Sequence, residues 1–208
     1  MEQRWYQKFS YWVEVSMDLV LVNLLWLACC LPVITIGAST TAMHYVVRKM
    51  AAGEPYKVWS GFWQSFRQNF KQGTALWLIL AIAGTLCGAD GFLGSQMDGT
   101  LGTLCQAAGI LGTIAVLGSA TLVFPLLARY TQTTMQLLKS ALLLAVGNIW
   151  IVIAGCLTAV MFPALTLWKA SFGIVAIPMW ILTGGSLSAL VVQLLLRPVY
   201  AKLEHTAL

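Results

Sequence analysis

The sequence predicts an all-α fold, a polytopic transmembrane helical bundle, and two observations carry this prediction. Hydrophobic residues make up 59% of the chain and charged residues 9%, whereas a soluble domain has about 25% charged residues to wet its surface. The few charges are also clustered, which leaves five uncharged runs, and roughly 20 apolar residues suffice to cross a bilayer core. The runs lack the polar–apolar alternation that barrel strands require. They cover residues 19–47, 72–89, 99–128, 140–168 and 170–196.

The first run is interrupted at Pro32 and Gly37, and it permits two arrangements. As a single span it would place the N-terminus, with Arg4 and Lys8, outside the cell. As a helical hairpin that turns near LPVITIGAS, it would return both ends to the cytoplasm, where basic residues concentrate. Residues 9–50 are therefore predicted to form a broken helix or a hairpin, and we favour the hairpin. The two arrangements give five or six membrane-crossing helices in total.

The segment VWSGFWQSFRQNFKQ, residues 58–72, concentrates aromatic and basic side chains directly before an apolar run. Its aromatic residues recur at i, i+3, i+4, i+7 and i+11, which places them in one stripe of a helix. Such a stripe beside cations is typical of a helix lying at the membrane interface. The sequence thus predicts a cytoplasmic interfacial amphipathic helix over 55–71, which either anchors the bundle alone or also docks a partner. The candidate residues are the stripe Trp59, Phe62, Trp63, Phe66 and Phe70 and the cations Lys57, Arg67 and Lys71.

The remaining apolar runs predict four more transmembrane helices, and the charges between them predict their orientation. Segment 48–71 is rich in lysine and arginine, whereas the turn at 90–98 carries two aspartates and no basic residue. The positive-inside rule therefore places the first segment and both termini in the cytoplasm. The net charge of +5 is read as an orientation signal, and no nucleic-acid partner is expected. The four helices are predicted over 72–90, 99–128, 137–165 and 170–197.

Four polar residues are candidates for an intramembrane function, because ionisable or polar groups at membrane depth are costly to keep. They are Asp18, Asn23, His44 and Arg129, and each has a structural alternative, such as an ion pair of Asp18 with an arginine. No sequence pattern indicates a catalytic constellation, a metal site or a cofactor site. The protein is therefore not expected to be an enzyme.

Small residues also mark helix faces that can pack closely. Gly84 and Gly88 form a G-x-x-x-G pair, and Gly109 and Gly112 lie on the next run. These faces favour either packing within a compact bundle or a homodimer. Another such face carries Gly184 and Gly185.

Residues 22–80, from VNLLWLACCLPVITIG to KQGTALWLIL, resemble the signature region of the YesL-like family of bacterial integral membrane proteins. Weaker similarity continues in LLARYTQTTMQLLKSALLLA from residue 126 and LRPVYAKLE from residue 196. Family members usually have proline after the glycine of ITIG, where this chain has Ala38. The resemblance implies a multi-pass protein of the bacterial cytoplasmic membrane, of unknown molecular activity.

The genomic setting of that family adds a functional expectation, because its members often lie beside genes for sugar ABC transporters and carbohydrate-sensing two-component systems. The resemblance thus implies a non-enzymatic accessory component of carbohydrate uptake or sensing. Its partners would be the lipid bilayer and a sugar ABC transporter or a sensor kinase. The alternative is a small-solute transporter or channel in its own right.

Overall fold

The structure is a computed structural model that describes residues 2–168, 174 and 177–206, with side chains for 13–159, 174 and 177–203. Every regular element in this part of the chain is helical, which confirms the all-α class. A short 3₁₀ turn, Val33–Thr35, follows the first helix, and a π-helical turn, Trp180–Gly184, precedes the last. The helices are α1 (Glu2–Cys30), α2 (Ile36–Ala52), α3 (Val58–Gln96), α4 (Gly99–Leu127), α5 (Thr134–Gly147), α6 (Ile149–Trp168) and α7 (Gly185–Thr206).

Four helical segments among the described residues are long and apolar enough to cross a membrane, and a bent pair adds a fifth if it forms one span. The polytopic membrane class is therefore confirmed, with four to five candidate spans where five to six were predicted. The difference arises at α2, which has 17 residues and is too short to be counted. The four single spans are Val13–Cys30, Val58–Gln96, Gly99–Leu127 and Ile177–Leu203.

α1 and α2 form an antiparallel pair, so the chain reverses its direction at the break near Pro32. The Trp26 indole donates a hydrogen bond to Thr40 Oγ1 (3.1 Å), and Ser39 Oγ donates to the Trp26 carbonyl (2.9 Å). Pro32 lies at the break because it has no backbone N–H to continue the helix. α2 then enters the interior, where most of its residues are buried.

The predicted boundary between an interfacial helix over 55–71 and a transmembrane helix over 72–90 is wrong. α3 runs without interruption from Val58 to Gln96, so it is about 58 Å long, roughly twice the thickness of a bilayer core. The glycine at this boundary, Gly73, does not end the helix. Its missing side chain instead allows the backbone to lie against Gly37 and Ala38 of α2, so the N-terminal half of α3 is part of the bundle.

The predicted helix over 137–165 is also divided, because α5 and α6 meet at a bend of 97°. Asn148 lies at the bend with non-helical dihedral angles, and both its backbone N–H (2.8 Å) and its side-chain amide (3.2 Å) donate to the Leu144 carbonyl. Asparagine competes for backbone hydrogen bonds in this way and ends helices. The predicted helix over 170–197 includes residues 170–173 and 175–176, which lie outside the described residues.

α3 and α4 continue beyond the main core as a hairpin, and the predicted small residues Gly109 and Gly112 lie at the contact between them. Gly109 packs against the backbone of Gly91, and Gly112 packs against Cys87. A Cβ at Gly84 would lie 3.5 Å from the Val116 side chain of α4, whereas Gly88 has nothing within 4 Å of the position of a Cβ. Only one glycine of the Gly84–Gly88 pair therefore faces α4. The outward faces of this hairpin are apolar, as lipid requires.

This antiparallel packing brings both ends of the described chain towards one side of the bundle. The Tyr56 hydroxyl, after α2, donates to Asp18 near the start of the apolar span of α1, Val13–Cys30 (2.7 Å). Arg129, after α4, lies over the ring of Tyr200 near the end of α7 (4.4 Å). We therefore expect both termini to lie on the cytoplasmic side. Single cysteines are introduced at positions 3 and 206 of a cysteine-free variant of the protein. In intact cells, both cysteines should resist an impermeant thiol reagent. A cysteine at Ser95, which is exposed in the last turn of α3, serves as the reactive control.

Reaction at position 3 alone would contradict the hairpin as a pair of crossings and leave a single first span. Reaction at both termini with protection at Ser95 would instead reverse the predicted orientation of the whole bundle.

Candidate functional site

The four candidate intramembrane residues do not form one site, because each takes part in a separate contact. Asn23 is fully buried, donates to the Ile181 carbonyl (2.7 Å) and accepts from the Ser186 backbone N–H (2.8 Å). The amide therefore ties α1 to the turn before α7. With a donor and an acceptor both used by backbone, Asn23 has a structural role.

Asp18 and His44 are likewise engaged by neighbours within the fold. Asp18 Oδ2 accepts the Tyr56 hydroxyl (2.7 Å), and the arginine ion pair considered for it is not formed by Arg48, which pairs with Glu54 at 3.2 Å. His44 is buried beside Gln193, whose amide nitrogen lies 3.5 Å from His44 Nδ1 and 3.4 Å from its carbonyl oxygen. These contacts hold α2 against α1 and α7.

The aromatic stripe of α3 is divided between the protein core and the surface. Phe62 has no exposed surface and packs in a core cluster with Val22, Val46 and Met50. Trp59 is 61% exposed, and its ring lies edge-on to Trp63 with centroids 6.1 Å apart. The predicted interfacial stripe is therefore wrong for Phe62, which faces the protein because α2 covers that side of the helix.

The cations Lys57, Arg67 and Lys71 each line a different cavity on what we call the basic surface, formed by Val58–Gln72, the end of α2 and the α4–α5 turn. Lys57 shares a cavity of about 320 Å³ with Lys49 and Tyr56. Arg67 shares one of about 660 Å³ with Trp59 and Trp63. Lys71 lies with Arg129 in the largest of the three, about 910 Å³. The predicted interfacial cations and Arg129 thus meet on one surface.

The largest cavity, which we call the α3–α5 cavity, is built where α4 ends and α5 begins. The Gln72 side chain donates to the Gln132 carbonyl (2.7 Å), which holds the turn against α3. Thr133 caps α5, and its backbone N–H donates to Gln136 Oε1 (3.1 Å) in a reciprocal capping box. The sequence TQTTMQ carries this capping signal, although the predicted boundary at 137 placed the helix start later.

Two tyrosines beside Arg129 were not predicted as site residues. The Arg129 guanidinium carbon lies 4.4 Å from the ring centroid of Tyr200 and 5.7 Å from that of Tyr130. Cation–aromatic contacts of this kind restrict the guanidinium to a narrow range of positions. No spacing in the sequence predicts that Arg129 lines a cavity with Lys71 and lies over the ring of Tyr200. Only the packed structure shows these contacts.

Among the residues whose side chains are described, no three His, Cys, Asp or Glu residues lie close enough together to hold a metal ion. All five cysteines are free thiols. The α3–α5 cavity is lined by residues that carry amides, hydroxyls and cations, which are groups that can bind a polar ligand.

Comparison with known proteins places part of this architecture in a family. Residues 19–90 match the family described as "Protein of unknown function, DUF624", a stretch that covers the apolar part of α1, all of α2 and most of α3. None of the curated proteins and none of the solved structures matches the chain. The YesL-like resemblance is consistent with the family match. The family match covers about a third of the chain, residues 19–90 of 208.

Proposed function

We propose that the protein is a non-enzymatic accessory membrane protein that serves carbohydrate uptake or sensing by docking a partner on the basic surface. The observation that supports docking is the exposure of Trp59 beside Trp63 and Arg67, around a cavity of about 660 Å³. Exposed aromatic residues beside an arginine are the residue types enriched at the energetic centres of protein interfaces. The expectation that the partner belongs to carbohydrate uptake or sensing rests on the family resemblance.

The contacts of the candidate polar residues favour an accessory role over solute transport. A transport pathway needs polar groups that line a water-filled lumen. Asn23 is bonded to backbone on α7, and His44 is buried against Gln193. Neither residue lines any of the three cavities of the basic surface. Their hydrogen-bonding capacity is instead used in holding helices together.

The docking proposal predicts that charge on the basic surface is needed for a partner and not for folding. Lys57 and Arg67 are both exposed, so the Lys57→Gln/Arg67→Gln variant should fold and insert as the wild type does. The variant should lose most of its co-purification with a sugar ABC transporter subunit or sensor kinase after crosslinking in native membranes. Partners would be quantified by mass spectrometry.

The matched control is Lys139→Gln/Arg197→Gln, which removes two exposed cations from other helices and should leave partner recovery unchanged. Equal recovery with wild type and the Lys57/Arg67 variant would contradict docking at this surface. Saturable uptake of a labelled sugar into liposomes that contain this protein alone would instead support the transporter alternative.

A further inference from the structure

We propose that the α3–α5 cavity binds a phosphate group carried on a hydroxyl-bearing molecule, either a soluble phosphate ester such as a sugar phosphate or an anionic glycerophospholipid headgroup. Three features of the cavity carry this inference: its charge, its neutral polar lining and the helix end that opens onto it. The proposal is independent of the docking function and concerns a different part of the basic surface.

The charged residues that line the cavity are Lys71 of α3 and Arg129 of the α4–α5 turn. No aspartate or glutamate is among the described residues that line the cavity. Arg129 is held against the Tyr200 and Tyr130 rings, which reduces the conformational entropy lost when its guanidinium binds an oxyanion. Lysine and arginine placed together in this way select a phosphate or carboxylate over a neutral ligand.

The neutral lining favours a ligand with hydroxyl groups beside the anion. The residues that line the cavity include the amide residues Gln68, Asn69 and Gln132 and the hydroxyl residues Thr131 and Thr134. Amides and hydroxyls both donate and accept hydrogen bonds, so they match a polyol better than they match an acyl chain. A volume of about 910 Å³ lies within the range of pockets that hold small molecules.

The orientation of α5 adds to the positive potential of the cavity. α5 has 14 residues and begins at the cavity, with Thr133, Thr134 and Gln136 of its first turn in the lining. The N-terminal end of a helix carries a partial positive charge and favours a nearby anion. Together with Lys71 and Arg129, this helix end favours a phosphate, which carries more charge than a carboxylate.

The test measures binding to the full-length protein in nanodiscs, with separate arms for the two sources of phosphate. In phosphatidylcholine nanodiscs, glucose 6-phosphate and glycerol 3-phosphate are titrated by calorimetry, with glucose as the uncharged reference. In nanodiscs of phosphatidylcholine mixed with phosphatidylglycerol, native mass spectrometry counts the anionic lipids retained. We expect the wild type to bind a phosphate ester or to retain one phosphatidylglycerol, and to bind glucose much more weakly.

The Lys71→Gln variant should weaken that binding roughly tenfold or more, which is the effect of one lost charge-assisted hydrogen bond. Lys71 is exposed on α3, so its substitution should not disturb folding. Lys71→Arg should retain most of the binding. Arg129→Gln should also weaken it, and a thermal unfolding curve of this variant shows whether loss of the Tyr200 contact has altered the fold. Lys139→Gln, outside the lining, is the matched control.

Binding of a soluble ester supports a metabolite site, and retention of phosphatidylglycerol alone supports a lipid site. In either case the Lys71→Gln variant must bind more weakly than the wild type. Equal binding by wild type and Lys71→Gln would overturn the proposal, as would equal affinity for glucose and glucose 6-phosphate. Absence of binding in both arms would overturn it too. The docking test uses Lys57 and Arg67, so failure of one proposal is distinguishable from failure of the other.

Discussion

Gly37→Ala is expected to cause one of the two largest losses of stability of any small substitution in this chain, because the added methyl group has no space. A Cβ at Gly37 would overlap the backbone carbonyl of Gly73 and would lie 2.8 Å from Cβ of Trp77. Backbone atoms cannot rotate away as the end of a side chain can, so α2 and α3 must separate. Overpacking of this kind costs about 1–3 kcal/mol, and thermal unfolding in detergent would measure the loss.

Gly61→Ala is the matched control, since it adds the same methyl group to the same pair of helices. A Cβ there would meet Tyr45 and Val46 at 3.7 Å, an ordinary contact distance. Alanine also has a higher helix propensity than glycine by about 1 kcal/mol, so this variant should be as stable as the wild type or more so. If Gly37→Ala unfolds at the same temperature as Gly61→Ala, the close approach of α2 and α3 is incorrect.

Asn23→Leu is expected to cause the other large loss of stability. The Asn23 amide is inserted between two backbone groups of the helical turn that leads into α7. Its nitrogen donates to the Ile181 carbonyl (2.7 Å), and its oxygen accepts from the backbone N–H of Ser186, five residues later (2.8 Å). A side chain inserted in this way widens the turn locally, and residues 180–184 are indeed π-helical. Gly185 leaves space for Asn23 and Trp26 to approach.

Leucine has a similar size but can form neither bond, so it leaves a carbonyl and an N–H buried without their partner. Each unsatisfied group costs about 1–3 kcal/mol, and we expect the thermal unfolding temperature of Asn23→Leu to fall accordingly. Asn69→Leu is the control, because the Asn69 amide bonds within its own helix, to the Ser65 carbonyl (3.0 Å). Equal unfolding temperatures for the two variants would show that Asn23 does not tie α1 to α7.

Much of the architecture could be predicted from the sequence, because it depends on local chemistry. The low charge content requires a bilayer, and Pro32 interrupts the first apolar run wherever the two flanking helices lie. The clustering of Lys57, Arg67 and Lys71 in one segment likewise predicted a basic surface. Arg129 was also identified, although the cavity that it shares with Lys71 was not.

The helix boundaries were less predictable, because the same residue can end a helix or continue it. Gly73 was expected near a boundary, yet α3 passes through it and uses its small size against α2. Asn148 lies inside a run that reads as one apolar helix, yet it ends α5. Which outcome occurs depends on whether a second helix lies against the position, and periodicity contains no information about that.

What the sequence alone determined is therefore the class of protein, the break at Pro32 and the location of its charges. The tertiary structure decided that Phe62 is a core residue while Trp59 is exposed, and that Asn23 bonds to the backbone at the start of α7. It also decided that Arg129 lines a cavity with Lys71 and lies over the ring of Tyr200. The physical reason is that lipid and protein interior are similarly apolar. A hydrophobic side chain satisfies either environment, so in a membrane protein only packing distinguishes a buried face from a lipid-facing one.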